Sequence, residues 1–433
     1  MKKCTPKNKT ELKALVSDLS VCLGDIDTSA IADMSELFKD TGRKDFAGID
    51  SWDVSKCENM RAMFYKCRYF KEDISSWDVS NVVDMSEMFS GCFSFNQSLN
   101  SWDTSRVESM KAMFYHCISF DSCIDSWDVS SVKDMSEMFA LCKLYNQPLN
   151  SWNTSNITDM SRLFFEDENK DEIHRLDFSG ISSWDVSKVT DMSHMFEHCY
   201  VFNENISSWD VSSVKNMERM FDECNFFAQD ISSWDVSGCE NMSGMFSGCY
   251  AFNQPLNSWN VSKVRDMSDM FSTAETFNQP LNDWDVSSVE NMNGMFQGAH
   301  SFNQPLDNWD VSNVERMDSM FWGCYYFNQP LNSWNVSKVR DMSGMFHSCY
   351  YFNQPLDKWN VSAVENMSFM FDTALSFNAD ISGWNVGRFT SVRSMFCCAK
   401  SFKQDISGWK LVDERKKELH KGRNRYKSYD RNE

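Results

Sequence analysis

Tryptophan recurs along this chain with a step of 25 residues, and that step decides what the chain can fold into. Trp52, Trp77, Trp102, Trp127 and Trp152 are evenly spaced, and Trp184 follows after 32 residues. Trp209, Trp234, Trp259, Trp284, Trp309, Trp334, Trp359, Trp384 and Trp409 then return to the step of 25, leaving only Trp322 outside the register. The fullest unit, residues 327–349, reads Phe-Asn-Gln-Pro-Leu-Asn-Ser-Trp-Asn-Val-Ser-Lys-Val-Arg-Asp-Met-Ser-Gly-Met-Phe, with Cys349 three residues on. A unit this short cannot bury its own apolar face, whereas stacked copies share one core. Length alone divides 433 residues into two or three globular domains. The repeat replaces that reading with a single array.

Within a unit two apolar patterns follow each other. Val82, Met85, Met88, Phe89 and Cys92 fall at helical spacing on one face, with Ser80 placed to cap them. Ahead of them Trp77 and Val79 alternate with Asp78, as the residues of a strand do. Proline recurs at Pro148, Pro255, Pro280, Pro305, Pro330 and Pro355, and confines any ladder to the residues after it. The expectation is an α/β repeat solenoid, leucine-rich-repeat-like, of about fifteen turns, each with one short strand in a parallel ladder and one short helix. Residues 1–33 read as an N-terminal helix (Thr10–Asp18) and cap, 34–409 as the repeats, and 410–433 as a charged C-terminal cap or tail. The long interval between Trp152 and Trp184 places an acidic insertion loop at about 165–180.

A formal net charge of -20 repels phosphate backbones, so nucleic acid is not an expected partner. No apolar run is long enough for a transmembrane helix. The basic opening Met1–Lys7 lacks the apolar core of a secretory signal, so the expected location is the cytoplasm.

The string Trp-Asp-Val-Ser-x-Val-x-x-Met-x-x-Met-Phe-x-x-Cys-x-x-Phe-Asn-Gln-Pro-Leu resembles the repeat of BspA-like leucine-rich-repeat surface proteins of bacteria, a repeat type also found in Mycoplasma and Listeria lipoproteins. The segment Gly24–Phe38 is similar to the N-terminal opening of that family. The resemblance spans roughly residues 10 to 410 and implies a solenoid displayed on a cell surface. It also implies a role in adhesion to host or cell-surface proteins, and it supplies no catalytic residues.

Several columns invite a chemical reading. Cys67, Cys92, Cys117, Cys142, Cys199, Cys224, Cys249, Cys324 and Cys349 share one register position, but Ala274, Ala299, Ala374 and Ala399 also occupy it. Alanine replaces a small buried hydrophobe, not a disulfide half or a metal ligand, so these read as buried free thiols. Cys123, Cys397 and Cys398 lie off that column and read as exposed, reactive thiols. The Asp that follows most tryptophans, as at Asp53 and Asp78, gives way to Asn at Asn260 and Asn335. That interchange fits a turn acceptor rather than a calcium ladder. The same holds for the second Asp/Asn column, at Asn59, Asp84, Asp134, Asn216, Asp266 and Asn291. His116 and His198 each precede a column cysteine, which faces another direction and reads as buried, so no thiol–imidazole dyad is expected.

Two features stand above the repeat. Aromatic residues occupy otherwise polar columns at Tyr65, Tyr69, Tyr115, Tyr200 and Tyr250, and cluster at Trp322, Tyr325, Tyr326, Tyr350 and Tyr351 on two neighbouring turns. The latter five are the candidate partner-binding residues, because Tyr and Trp anchor interfaces. The second feature is the acidic insertion, placed as a surface loop. The function expected is a non-enzymatic protein-interaction scaffold without cofactor, metal or catalytic residues. An adhesin for host protein or glycan is one alternative, and a thiol-based redox protein using Cys123, Cys397 or Cys398 is the other.

Overall fold

The computed structural model describes residues 4–167 and 178–419. It overturns the strand-and-helix reading of the repeat. Among the described residues there is no β-strand, and the α-helices are α1 (Lys9–Ser17) and α2 (Asp413–Lys416), neither of which belongs to a repeat. Single 3₁₀ turns at Leu23–Asp25, Ile49–Ser51 and Ile181–Ser183 complete the regular structure. The chain divides into two compact units, Met1–Val214 and Lys215–Glu433. Inside each, 25-residue turns are stacked and joined by backbone hydrogen bonds.

Two left-handed columns explain the missing helix. After Trp77, the N–H of Met88 bonds the carbonyl of Met85 at 3.1 Å, Ser90 bonds Glu87 at 3.1 Å, and Cys92 bonds Phe89 at 2.9 Å. Each bond closes a tight turn. Glu87 (φ 59) and Gly91 (φ 71) are the third residues of the first and last of these turns. A positive φ there, after an ordinary one, makes type II turns. A right-handed helix cannot run through a left-handed residue at every fourth position. The alternate N–H groups of Met85, Glu87, Phe89 and Gly91 donate to the carbonyls of Ser109, Lys111, Met113 and Tyr115, at 2.7 to 3.0 Å. Three donors close turns, four join the next turn and the Ser86 N–H bonds the Asp84 carboxylate, so the backbone is satisfied with neither helix nor strand. The second unit repeats this at Gly294 and Gly298, Ser319 and Gly323, and Gly344 and Ser348, all with positive φ.

The expected strand fails in a similar way. The N–H of Trp77 turns back to Ile74 at 3.1 Å, and that of Val82 to Val79 at 2.9 Å. Pairing between turns shrinks to isolated parallel bridges at the second Asp/Asn column, such as Asn59↔Asp84 in the first unit and Asp266↔Asn291 in the second. A leucine-rich-repeat solenoid rests on a continuous parallel ladder, and that ladder is absent among the described residues. The resemblance to BspA-like leucine-rich-repeat proteins therefore does not extend to the backbone.

The inward columns form the core. Phe89 lies 5.7 Å from both Phe64 and Phe114, with rings within 6° of parallel. Phe271 stacks at 5.7 Å on Phe246 and Phe296 in the second unit. Such pairs add about 0.5–1.5 kcal/mol each beyond burial. Buried indoles bond to the backbone: Trp127 Nε1 donates to the Leu99 carbonyl at 2.8 Å and Trp284 Nε1 to that of Leu256 at 2.8 Å. The column thiols are reduced, buried and bonded to the backbone. Cys117 Sγ donates to the Phe89 carbonyl at 2.8 Å and Cys324 Sγ to that of Phe296 at 2.9 Å. The Asp columns make turns: Asp78 accepts from the N–H of Ser80 at 3.2 Å, and Asp84 from that of Ser86 at 2.8 Å.

At the N-terminus the Asn8 side chain caps α1 by accepting from the N–H of Glu11 at 3.0 Å. Leu12 and Val16 are its buried face. Lys13 Nζ anchors the helix on the Leu37 carbonyl at 2.6 Å. At the other end the carbonyls of Glu418 and Leu419 accept from Ser394 at 2.8 Å and Phe396 at 3.2 Å, taking the place of a further turn. Most of the expected insertion loop (168–177) and the end of the tail (420–433) lie outside the described residues.

Candidate functional site

The five aromatic residues singled out from the sequence lie together in the second unit. The bends Cys324–Phe327 and Cys349–Phe352 leave two side chains of each turn facing outward, one turn directly above the other. Tyr325 and Tyr350 stack at 4.8 Å and 2° from parallel. Tyr326 and Tyr351 stack at 5.7 Å and 9°. His300 extends the first pair, 4.4 Å from Tyr325 and 7° from parallel. Trp322 lies over His347 at 4.0 Å, and the absent side chain of Gly344 makes room for it, since a Cβ there would come within 2.8 Å of the indole. Trp322 is 39% exposed, Tyr326 57% and Tyr351 56%, while Tyr325 and Tyr350 are half-buried. Ring-on-ring packing holds these side chains in place before any partner arrives, which lowers the entropy lost on binding.

The position two residues after the column Cys or Ala carries most of the exposed large apolar side chains. Tyr69, Leu144 and Val201 occupy it in the first unit, and Phe226, Tyr326 and Tyr351 in the second. In the sequence these residues are 25-residue steps apart, or multiples of that step once the insertion is counted, and column by column the bias is visible.

The redox expectation of exposed thiols is not met at Cys397 and Cys398: Cys397 is buried and Cys398 half-buried. Burial, with the Asp372 carboxylate next, pushes the Cys397 thiol up to about 12. Burial likewise lifts Cys67 to about 12 and Cys92 and Cys349 well above the ordinary thiol range. A thiol held protonated is a weak nucleophile. Cys123 is exposed. Cys117 and Cys199, next to His116 and His198, direct their Sγ atoms at the carbonyls of Phe89 and Phe164.

One polar cluster was missed. Asp372, Cys397 and Cys398 bring a carboxylate oxygen and two sulfurs within 4.8 Å of one another. The two Sγ atoms are 3.7 Å apart. His347 Nε2 lies 3.5 Å from Asp372 Oδ2. Trp322, His347, Asp372 and Cys397 share one register position, and their carbonyls accept in turn from Gly298, Gly323, Ser348 and Thr373 at 2.6 to 2.9 Å. Read along the chain these residues look unrelated. Reading every 25th residue finds them.

No curated protein sequence matches the chain. Among solved structures, a leucine-rich repeat protein from Bacteroides ovatus is 12% identical, with 81% of this chain and 76% of that one covered, at a TM-score of 0.31. A TLR13–ssRNA13 complex is 11% identical, with 83% of this chain and 52% of that one covered, at a TM-score of 0.19. Neither superposition is close enough to argue a shared fold or activity. A family described as "Mycoplasma protein of unknown function, DUF285" matches at residues 10–121, 97–179, 167–282, 254–350 and 327–425. Together these spans run through nearly the whole chain, and they replace the BspA-like assignment: the chain belongs to the DUF285 family of Mycoplasma proteins of unknown function.

Proposed function

We propose that this chain is a non-enzymatic binding protein that engages a protein partner through the stacked aromatic edge of its second unit. The observation behind this is the preformed ladder of Trp322, Tyr325, Tyr326, Tyr350 and Tyr351. Tyr and Trp fixed by their neighbours are the residue types that dominate interface energetics. Stacking covers both faces of Tyr325 and one face of Tyr326, Tyr350, Tyr351 and Trp322.

The test compares the full chain with Trp322→Ser/Tyr326→Ser/Tyr351→Ser as baits in extract of the producing cell, with captured proteins quantified by mass spectrometry. A partner held by the native chain and lost by at least tenfold from the variant supports the reading, provided both baits unfold at the same temperature. The same partners recovered by both baits refute it. Protease shaving of intact producing cells then says on which side of the membrane the partner is to be sought.

A further inference from the structure

We infer that Asp372, Cys397 and Cys398 form a binding site for one thiophilic divalent cation of the zinc class, with His347 beside the carboxylate. This rests on different chemistry from the aromatic edge and stands or falls independently of it. Zinc–sulfur bonds are about 2.3 Å, so the edge of a tetrahedral site is about 3.8 Å between sulfurs. The two sulfurs, Cys397 Sγ and Cys398 Sγ, are 3.7 Å apart, and a carboxylate oxygen of Asp372 lies within 4.8 Å of both. Two sulfurs and one carboxylate oxygen make a three-ligand set that leaves the fourth position of a tetrahedral ion to water, and soft sulfur selects against magnesium and calcium.

The surroundings fit the same reading. His347 Nδ1 lies 3.0 Å from Ser348 Oγ, a contact that fixes the ring and leaves Nε2 facing Asp372 Oδ2 at 3.5 Å, where it orients the carboxylate. Asp372 Oδ1 accepts from Thr373 Oγ1 at 3.0 Å, which orients the carboxylate. Trp322 covers one face of the imidazole. Asp372 and Cys397 are buried, and Cys398 and His347 are half-buried, so the site is shielded but open on one side. Binding displaces the two thiol protons to solvent, and the bound ion carries two thiolates and one carboxylate, with water completing its shell.

The test is a zinc titration of the full chain against a chromophoric chelator, in a Cys4→Ser/Cys22→Ser/Cys123→Ser background that removes the other exposed thiols. One equivalent is expected to bind. Cys398→Ser and Asp372→Asn should each abolish it, and His347→Ala, which only removes the partner of the carboxylate, should weaken it about 10–100-fold. Cobalt in place of zinc should give the visible bands of a tetrahedral thiolate site. Absence of binding, or binding unchanged in Cys398→Ser, overturns the proposal. If the variants do not fold, alkylation of the unaltered chain decides. Zinc should protect Cys398 from labelling, and equal labelling with and without zinc, or isolation of a Cys397–Cys398 disulfide indifferent to zinc, refutes the site.

Discussion

The left-handed columns allow a stability experiment in which three substitutions differ by design. Gly323 sits at φ 75, and a Cβ added there meets nothing closer than the Gly298 backbone at 3.6 Å, an ordinary van der Waals distance. Gly323→Ala therefore isolates the conformational term. A left-handed L-residue costs roughly 1–2 kcal/mol. The stiffer unfolded chain returns about 0.4–1 kcal/mol, leaving a net loss near 1 kcal/mol. Gly48, at φ 88, is different, because its Cβ would lie 2.6 Å from the backbone nitrogen of Gly24 and 2.8 Å from its Cα. Backbone cannot step aside as a side chain does, so about 1–3 kcal/mol of overpacking adds to the conformational term. Thr273 occupies the Gly323 column as a β-branched residue at φ 55. Thr273→Gly should stabilise by about 0.5–1 kcal/mol, since relief of the left-handed strain exceeds the gain in unfolded-state entropy. Urea unfolding followed by tryptophan fluorescence, with hydrogen exchange mapped by peptide, reads all three and shows which unit responds. The reasoning fails if Gly323→Ala is neutral, if Gly48→Ala costs no more than Gly323→Ala, or if Thr273→Gly destabilises.

Two further expectations concern buried titratable groups. Both carboxyl oxygens of Glu166 are buried without a hydrogen-bond partner, and burial, with Asp167 adding to it, lifts the group from 4.5 to about 8. The fold thus holds a proton that the unfolded chain releases, so stability falls as pH rises from 4.5 and the loss is complete above about 8. Glu166→Gln should be less pH-dependent over that window, gaining on the native chain by roughly 3–5 kcal/mol as an upper bound. Parallel stability curves between pH 5 and about 9 would contradict this. The second expectation is that Cys117→Ala costs only about 1 kcal/mol, because the Phe89 carbonyl keeps the N–H of Cys92 when the thiol donor goes. Cys117 should also resist alkylation until the chain is unfolded. Rapid native labelling would show that the column is open.

Much of this molecule can be read from its tryptophans. The period, the register and the inward Trp, Val, Met, Phe and Cys columns follow from spacing and burial, as do the turn-forming roles of Asp78 and Asp84. The backbone does not. Val82, Met85, Met88, Phe89 and Cys92 have helical spacing, but consecutive tight turns also bring residues three and four apart to one side, so the periodicity could not separate the two. The discriminating signal was glycine. Gly244, Gly248, Gly294, Gly298, Gly323 and Gly344 fall in two columns four residues apart, and a helix would not place its poorest formers there. Other units hide the signal because Glu87, Leu141 or Thr373 adopts the same left-handed conformation. The aromatic edge was legible because its members are neighbours in sequence as well as in space. The His347, Asp372 and Cys397 cluster was not, because each residue is ordinary within its own unit.

That contrast points to how a stack of this kind composes a site. Inward positions are tied by packing and the backbone donors are committed, so variation is tolerated mainly at outward positions. There, the residue 25 places on is the nearest neighbour, 4.0 Å away at Trp322 and His347 and 4.8 Å at Tyr325 and Tyr350. Each unit contributes one rung, and the chemistry of a patch depends on which residues share a register position in consecutive units. Whole-unit deletion separates register from local motif. Removing residues 350–374 joins Cys349 to Leu375 in register, so every later Trp, Met and Phe keeps its inward column. This variant should fold with a single cooperative loss of signal like the parent, lack Asp372, Tyr350 and Tyr351, and fail to hold the cation. Removing residues 350–375 takes out one residue more and turns each following inward side chain outward or into its neighbour's place. The two deletions differ by one residue in 433, yet the first should be soluble with protected amides beyond the junction and the second should not. Equal behaviour of the pair would mean that register does not organise the stack, and the site argued from it would lose its basis.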